Sequence, residues 1–178
     1  MDGADRCGQR GAVPLQSEWR DLVSDVEDVR TYHADSDAES TDAVVLDSVL
    51  FEGGAFAEFL ALRGFLLPDD ERELAGQWLR TTRSVFEVET VSRRGGLTVR
   101  DVRTEKSHQV QEPAEAPAVK IGQLVCARLL PAGNATYCFG GLEPVAVDER
   151  DALLALLDSE PDPADLVAAL SRRFAAPR

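Results

Sequence analysis

The sequence predicts an α+β fold: a small five-stranded antiparallel, partly closed β-barrel packed by N-terminal helices and a C-terminal helical hairpin. Three observations carry this. The apolar periodicity changes from helical to strand-like at Ser84 and returns to helical after Val145. The β stretch is broken by Arg94-Gly95-Gly96, Pro131-Ala132-Gly133-Asn134 and Gly140-Gly141. Helices flank the strands instead of alternating with them, which is the pattern of α+β and not of an α/β nucleotide-binding fold. The chain accordingly divides into an acidic tail and helix over 1–40, helices plus the small barrel over 41–147, and the packed helical hairpin over 148–178.

Residues 1–13 lack periodicity and read as a loose tail. Over 15–30, Leu15, Trp19, Leu22, Val23, Val26 and Val29 recur near helical spacing with acids opposite, so an amphipathic helix is expected. Residues 31–40 are polar and read as a linker. Ser40 or Thr41 caps the next helix, with Val45, Leu46, Val49 and Leu50 as its apolar face. Gly53-Gly54 breaks it. A third helix carries Phe56, Phe59 and Leu60 inward, with Gly64 suited to a left-handed C-terminal cap. Pro68-Asp69-Asp70-Glu71 opens a fourth, because the missing proline amide costs nothing there and acids meet the positive end of the dipole. Its inward face is Leu74, Ala75, Trp78 and Leu79.

Strand alternation over Val85–Thr90 and Leu97–Val102 around Arg94-Gly95-Gly96 predicts a first hairpin. A short exposed strand follows near His108–Gln111, then a proline-bearing connection over Glu112–Pro117. Gln123–Leu130 and Thr136–Val145 form a second hairpin around Pro131–Asn134, with a bulge or bend at Gly140-Gly141. Asp148 caps a helix over 149–158. Asp162-Pro163 opens the last helix, which buries Leu166, Val167, Leu170 and Phe174.

The 178 residues are 44% hydrophobic, which excludes a wholly disordered chain. The net charge of −13 argues against generic phosphate-backbone binding and for a basic protein partner. From Glu18 to Asp47 ten acids face only Arg20 and Arg30, whereas from Arg80 to Arg128 nine basic residues face six acids. No apolar run approaches a membrane span, and the N-terminus lacks the basic and apolar regions of a signal peptide. Cys7, Cys126 and Cys138 make neither a C-x-x-C pair nor an even set, as suits a reducing compartment. A cytoplasmic protein with no membrane partner is expected.

Phe51-Glu52-Gly53-Gly54, the run from Arg63 to Arg72 continuing through Gln77-Trp78-Leu79, Ser84–Val88, Gly122–Arg128 and Phe139–Val145 resemble, in order, the region that follows the zinc-binding motif in actinobacterial SEC-C motif-containing proteins. The resemblance spans roughly 44–147 and implies no activity. The zinc motif itself is a compact C-x-C and C-[CH] cluster, and tetrahedral zinc needs four such ligands. Only Cys7 lies in the corresponding tail, so no zinc, metal or other cofactor is expected.

No catalytic signature stands out, and the chain reads as leaning away from an enzyme. His33 with Asp35 and Asp37 lies in an acidic loop without a supporting shell, and reads as solvated instead of metal-binding. His108 has no nucleophile partner and reads as a strand histidine. Cys126 and Cys138, on opposite arms of the second hairpin, form a candidate redox pair: an odd loop sets them across from each other, and an even loop sends them to opposite faces. Arg93, Arg94, Arg100, Arg103, Arg128 and Tyr137 are the candidate contacts for RNA or single-stranded DNA, where arginine and aromatic stacking track a strand. Of the functions these features allow, a non-enzymatic interaction module with an acidic face for a basic partner ranks first, and a nucleic-acid- or ribosome-associated protein second.

Overall fold

The computed structural model describes residues 38–92, 96–111 and 119–174, and within them no side chains of 38–42 or 172–174. The expected helix over 15–30, the His33–Asp37 group, Cys7, Arg93 and Arg94 lie outside the described residues. The architecture is α+β. Helices α1 (Ala38–Leu50), α2 (Ala55–Arg63) and α3 (Asp69–Trp78) precede strands β1 (Ser84–Val91), β2 (Leu97–Asp101), β3 (Ser107–Val110), β4 (Leu124–Ala132) and β5 (Ala135–Val145), and α4 (Arg150–Asp158) and α5 (Pro163–Phe174) close the chain.

The five strands form one antiparallel sheet in the order β3-β2-β1-β4-β5. The sheet is open: β3 and β5 are its edges, and just past β3 Gln111 N–H donates to Thr136 O at 2.8 Å. Alternation along the strands splits the core in two. On one face Val85, Leu124, Cys126 and Val145 pack against Val44, Val45 and Val49 of α1, Leu153 of α4, and Leu166, Val167 and Leu170 of α5. On the other face Phe86, Val88, Leu97, Val99, Val110, Val125, Ala127 and Leu142 pack together. Asp162 Oδ1 accepts from Ala164 N–H at 2.9 Å, the cap that its position before Pro163 predicts.

Several expectations are corrected. Helix α1 buries Val44, Val45, Asp47, Ser48 and Val49 while Leu46 is half exposed. At about 100° per residue, Leu46 stands nearly opposite Val44, and the acid at 47 turns inward instead. No residue of α2 is buried, and Phe59 of its expected inward stripe is exposed. Gly64 is right-handed, at φ −56° and ψ −27°, and continues into a short 3-10 turn through Leu66 instead of capping in the left-handed region. Leu79, expected inside, is exposed.

The second hairpin turns on two residues, Gly133-Asn134, with Ala132 facing Ala135. Gly133 at φ 61° supplies the positive φ that such a turn needs. Pro131 therefore lies in β4 and not in the turn. It is tolerated there because β1 pairs with β4 only over Leu124–Ala127, leaving that flank outside any ladder. The bulge expected at Gly140-Gly141 is present: the register shifts between Cys126 and Arg128, and the two glycines have φ of 75° and 89°.

Candidate functional site

The bulge brings β5 against α1, and the contact at its centre is ionic. Asp47, fully buried, accepts from Arg128 Nε at 2.7 Å through Oδ1 and from Arg83 Nη2 through Oδ2. Arg128 Nη1 donates to Thr81 O at 2.7 Å, and Nη2 donates to Glu52 Oε1. Its guanidinium also lies 4.1 Å from the centre of the Phe51 ring. Phe51 meets Phe139 edge-on at 5.8 Å and Phe56 at 5.5 Å, and Phe56 meets Trp78 at 6.1 Å, so an aromatic chain links the ion cluster to α2 and α3. Trp78 Nε1 completes that link by donating to Pro131 O at 2.6 Å.

Gly140 explains why this cluster forms where it does. A Cβ there would stand 2.5 Å from Asp47 Cβ, so only glycine lets the bulged strand approach α1 this closely. Glu143, across the ladder from Cys126, is buried beneath the same helices.

The charges are shielded but not fully matched by hydrogen bonds. Arg83 Nε and Nη1 and Glu52 Oε2 have no hydrogen-bond partner and are inaccessible to solvent. Arg83 Nε stands 3.8 Å from Glu52 Oε1, beyond hydrogen-bond range. Each buried polar atom left without a partner costs about 1–3 kcal/mol. Burial is the largest influence on Arg83 and opposes its charge. The attraction of Asp47, Cys126, Glu52 and Glu143 outweighs it and holds the guanidinium above the usual arginine range. Beside the cluster opens a cleft of about 300 Å³ to which Arg83, Arg128, Glu52 and Glu160 all contribute.

The arginines proposed from sequence are differently placed. Arg128 is in the buried cluster and out of reach of a nucleic acid. Arg100 pairs with Glu87, Glu89 and Glu105. Arg103 pairs with Asp158 at 2.7 Å and donates to Leu154 O at 3.1 Å, tying the β2–β3 turn to α4. Tyr137 is exposed on β5. The four candidates among the described residues, Arg100, Arg103, Arg128 and Tyr137, thus do not act together: Arg128 is buried, and Arg100 and Arg103 hold carboxylates. Cys126 faces Glu143 and packs in the helix-covered core, whereas Cys138 faces Leu129 and packs against the opposite core. The even, two-residue turn separates the thiols to the two faces, so the redox pairing fails. His108 lies edge-on to Phe86 at 6.1 Å, a packing contact.

Sequence reasoning missed Asp47, Glu52 and Arg83, because an acid on a helix and an arginine before a strand ordinarily face water. The available signal was Gly140-Gly141, which marks close backbone approach to something on the opposing element. Among the described residues no group of three or more His, Cys, Asp or Glu side chains could hold a metal ion, and no helix is long and apolar enough to cross a membrane.

A second feature stands apart from the cluster. Helix α2 and the turn after it carry Phe59, Leu62, Phe65 and Leu66 outward, with Phe65 73% and Leu66 65% exposed. The exposed acids Asp69, Asp70, Glu71 and Glu73 follow at once on α3. Comparison with protein-family models, curated proteins and solved structures finds no match to this chain.

Proposed function

We propose that the chain is a non-enzymatic cytoplasmic interaction module that takes a basic, amphipathic segment of a partner protein. The observation that carries this is the ridge of Phe59, Leu62, Phe65 and Leu66, four large apolar side chains held out by α2, a helix that buries none of its own residues, and by the 3-10 turn that follows it. Isolated exposed apolar residues are ordinary, but a contiguous run of them is the usual mark of a docking surface. The acidic first turn of α3 beside the ridge and the net charge of −13 favour a basic partner. Nucleic acid is the weaker reading, since Arg100 and Arg103 already hold carboxylates. The hydrogen bond from Gln111 to Thr136 and the bulge at Gly140-Gly141 support a further reading of the sheet as curled toward a partly closed barrel. That sheet serves as the scaffold behind the ridge. The resemblance to the region after the SEC-C zinc motif fits a binding role without supplying an activity.

The test is affinity capture with the full chain and a Phe65→Ser, Leu66→Ser variant, followed by titration of the recovered partner. The expected result is at least a tenfold loss of affinity in the variant, roughly the worth of one well-buried apolar side chain, with binding that also weakens as salt rises. Partners retained equally by the variant, or indifferent to salt, would overturn the reading.

A further inference from the structure

Helix α2 is apolar on nearly every side, seven of its nine residues being Ala, Phe or Leu, yet none of the nine is buried among the described residues. A helix apolar all round is ordinarily a covered one. Its cover comes from a partner or from the rest of this chain. Residues 93–95 are Arg-Gly-Gly, 112–118 hold two prolines and no large apolar side chain, and 175–178 are Ala-Ala-Pro-Arg. None of these can cover a ridge of four large apolar side chains. Residues 15–30 can, because at about 100° per residue Leu15, Trp19, Leu22, Val23, Val26 and Val29 fall in one stripe about 120° wide.

We propose that residues 15–30 lie across the ridge of α2 as a displaceable cap, an inference that rests on reading the ridge as a docking surface. The reach is sufficient. Seven residues, 31–37, separate the segment from α1 and span up to about 24 Å when extended, while α1 is about 20 Å long and leads directly to α2. Charge makes the cap weak by design. The segment carries five acids against two arginines, and the exposed acids of α3 stand beside the ridge, so the two repel. Tethering offsets that repulsion, since a short connection holds the segment at an effective concentration on the order of millimolar. A basic partner gains the attraction that the cap lacks, and so displaces it.

The test is amide hydrogen exchange of the full chain by mass spectrometry, with titration by a synthetic helical peptide carrying leucine on one face and lysine on the other. Residues 15–30 should exchange at least about tenfold more slowly than an unstructured chain, and Phe65→Ser with Leu66→Ser should remove that protection. Trp19→Ser with Leu22→Ser should speed exchange across 55–66 and tighten peptide binding at least about tenfold, because apparent affinity follows the open fraction. Rising salt should preserve the protection at 15–30 while weakening the peptide, since it screens repulsion in one contact and attraction in the other. The two pairs of substitutions check each other from opposite sides of the contact, and Phe65 and Leu66 belong to neither core. Unprotected exchange at 15–30 overturns the proposal, as does protection that survives the ridge substitutions, which places the segment elsewhere. Peptide bound equally by the parent and the Trp19, Leu22 variant also overturns it and leaves the ridge reading intact. Reciprocal protection with no peptide bound by any form does the reverse, upholding the contact and overturning the ridge as a partner site.

Discussion

Arg128 and Arg100 each hold more than one carboxylate from the same face of the sheet, Arg128 beneath α1 and Arg100 farther along, where Glu87 and Glu89 emerge past the helices into solvent. The chemistry is alike and the surroundings are not. Around Arg128, Asp47 and Arg83 are closed off from water, so each charge depends on the others for its solvation. Around Arg100 water is an equal partner, and the ion pairs compete with hydration and side-chain entropy. An arginine network therefore locks α1 to the sheet in one place and decorates the surface in the other.

The comparison is sharpest at Asp47. Asp47→Ala would leave Arg83 and Arg128 buried without their shared anion, and removing one partner of a buried pair costs about 3–5 kcal/mol. Against the roughly 5–15 kcal/mol that holds a domain folded, this is enough to unfold a marginal one. Urea titration should show the midpoint falling steeply. Adding Arg128→Met to Asp47→Ala should recover part of the loss, because an uncompensated charge is then replaced by an apolar side chain of similar reach. Failure to recover any would mean that the damage lies in packing and not in charge.

Gly140→Ala tests the same lock through the backbone. The new Cβ would meet Asp47 Cβ at 2.5 Å at a residue with φ 75°, so α1 and β5 must separate. Displacement alone should cost about 1–3 kcal/mol by denaturant unfolding, with backbone strain in addition. Gly133→Ala, which meets nothing within 4 Å, should cost less by the difference in contact.

How much of this was legible follows from what each residue's neighbours in sequence can report. The switch of period at Ser84, the first hairpin and the Asp162-Pro163 cap are local, and each appears where the pattern places it. The direction of Asp47 is not local: it depends on Arg128, 81 positions away, and on a bulge that lets the two meet. The outward turn of α2 was hidden for the opposite reason. Its apolar residues read as core, because nothing within the helix reports that none of the described elements buries Phe59 or Leu62. The glycine pair was legible as a bulge, but its meaning was not, since a glycine shows where backbones approach without naming what approaches.

Asp101 is intermediate between the two networks. Burial raises the energy of its charge, yet the backbone N–H groups of Thr104 and Arg103 donate to it at 2.9 and 2.7 Å and hold its carboxyl below the ordinary aspartate range. A depressed native value means that the stabilisation is present above the unfolded value of about 4 and is lost as pH falls through the lower native value. Asp101→Asn should therefore destabilise by under about 1.5 kcal/mol near neutrality, discounted for partial exposure. The gap between variant and parent should close in unfolding titrations carried down through pH 4 and below. A gap that stays constant with pH would assign the effect to turn geometry instead of charge.

Arg100→Ala carries the smallest expected effect and bears most directly on the contrast with Arg128. Hydrogen bonds that Arg100 donates to Glu87 and Glu105 raise its guanidinium above the usual range, which by itself suggests a strong site. Its exposure says otherwise, because water and counterions solvate the three carboxylates once the guanidinium is gone. The unfolding midpoint of Arg100→Ala should match that of the parent, and should do so equally at low and high salt. A loss comparable to that of Asp47→Ala would show that contact geometry, and not burial, sets the worth of these networks, and the distinction between the two would collapse.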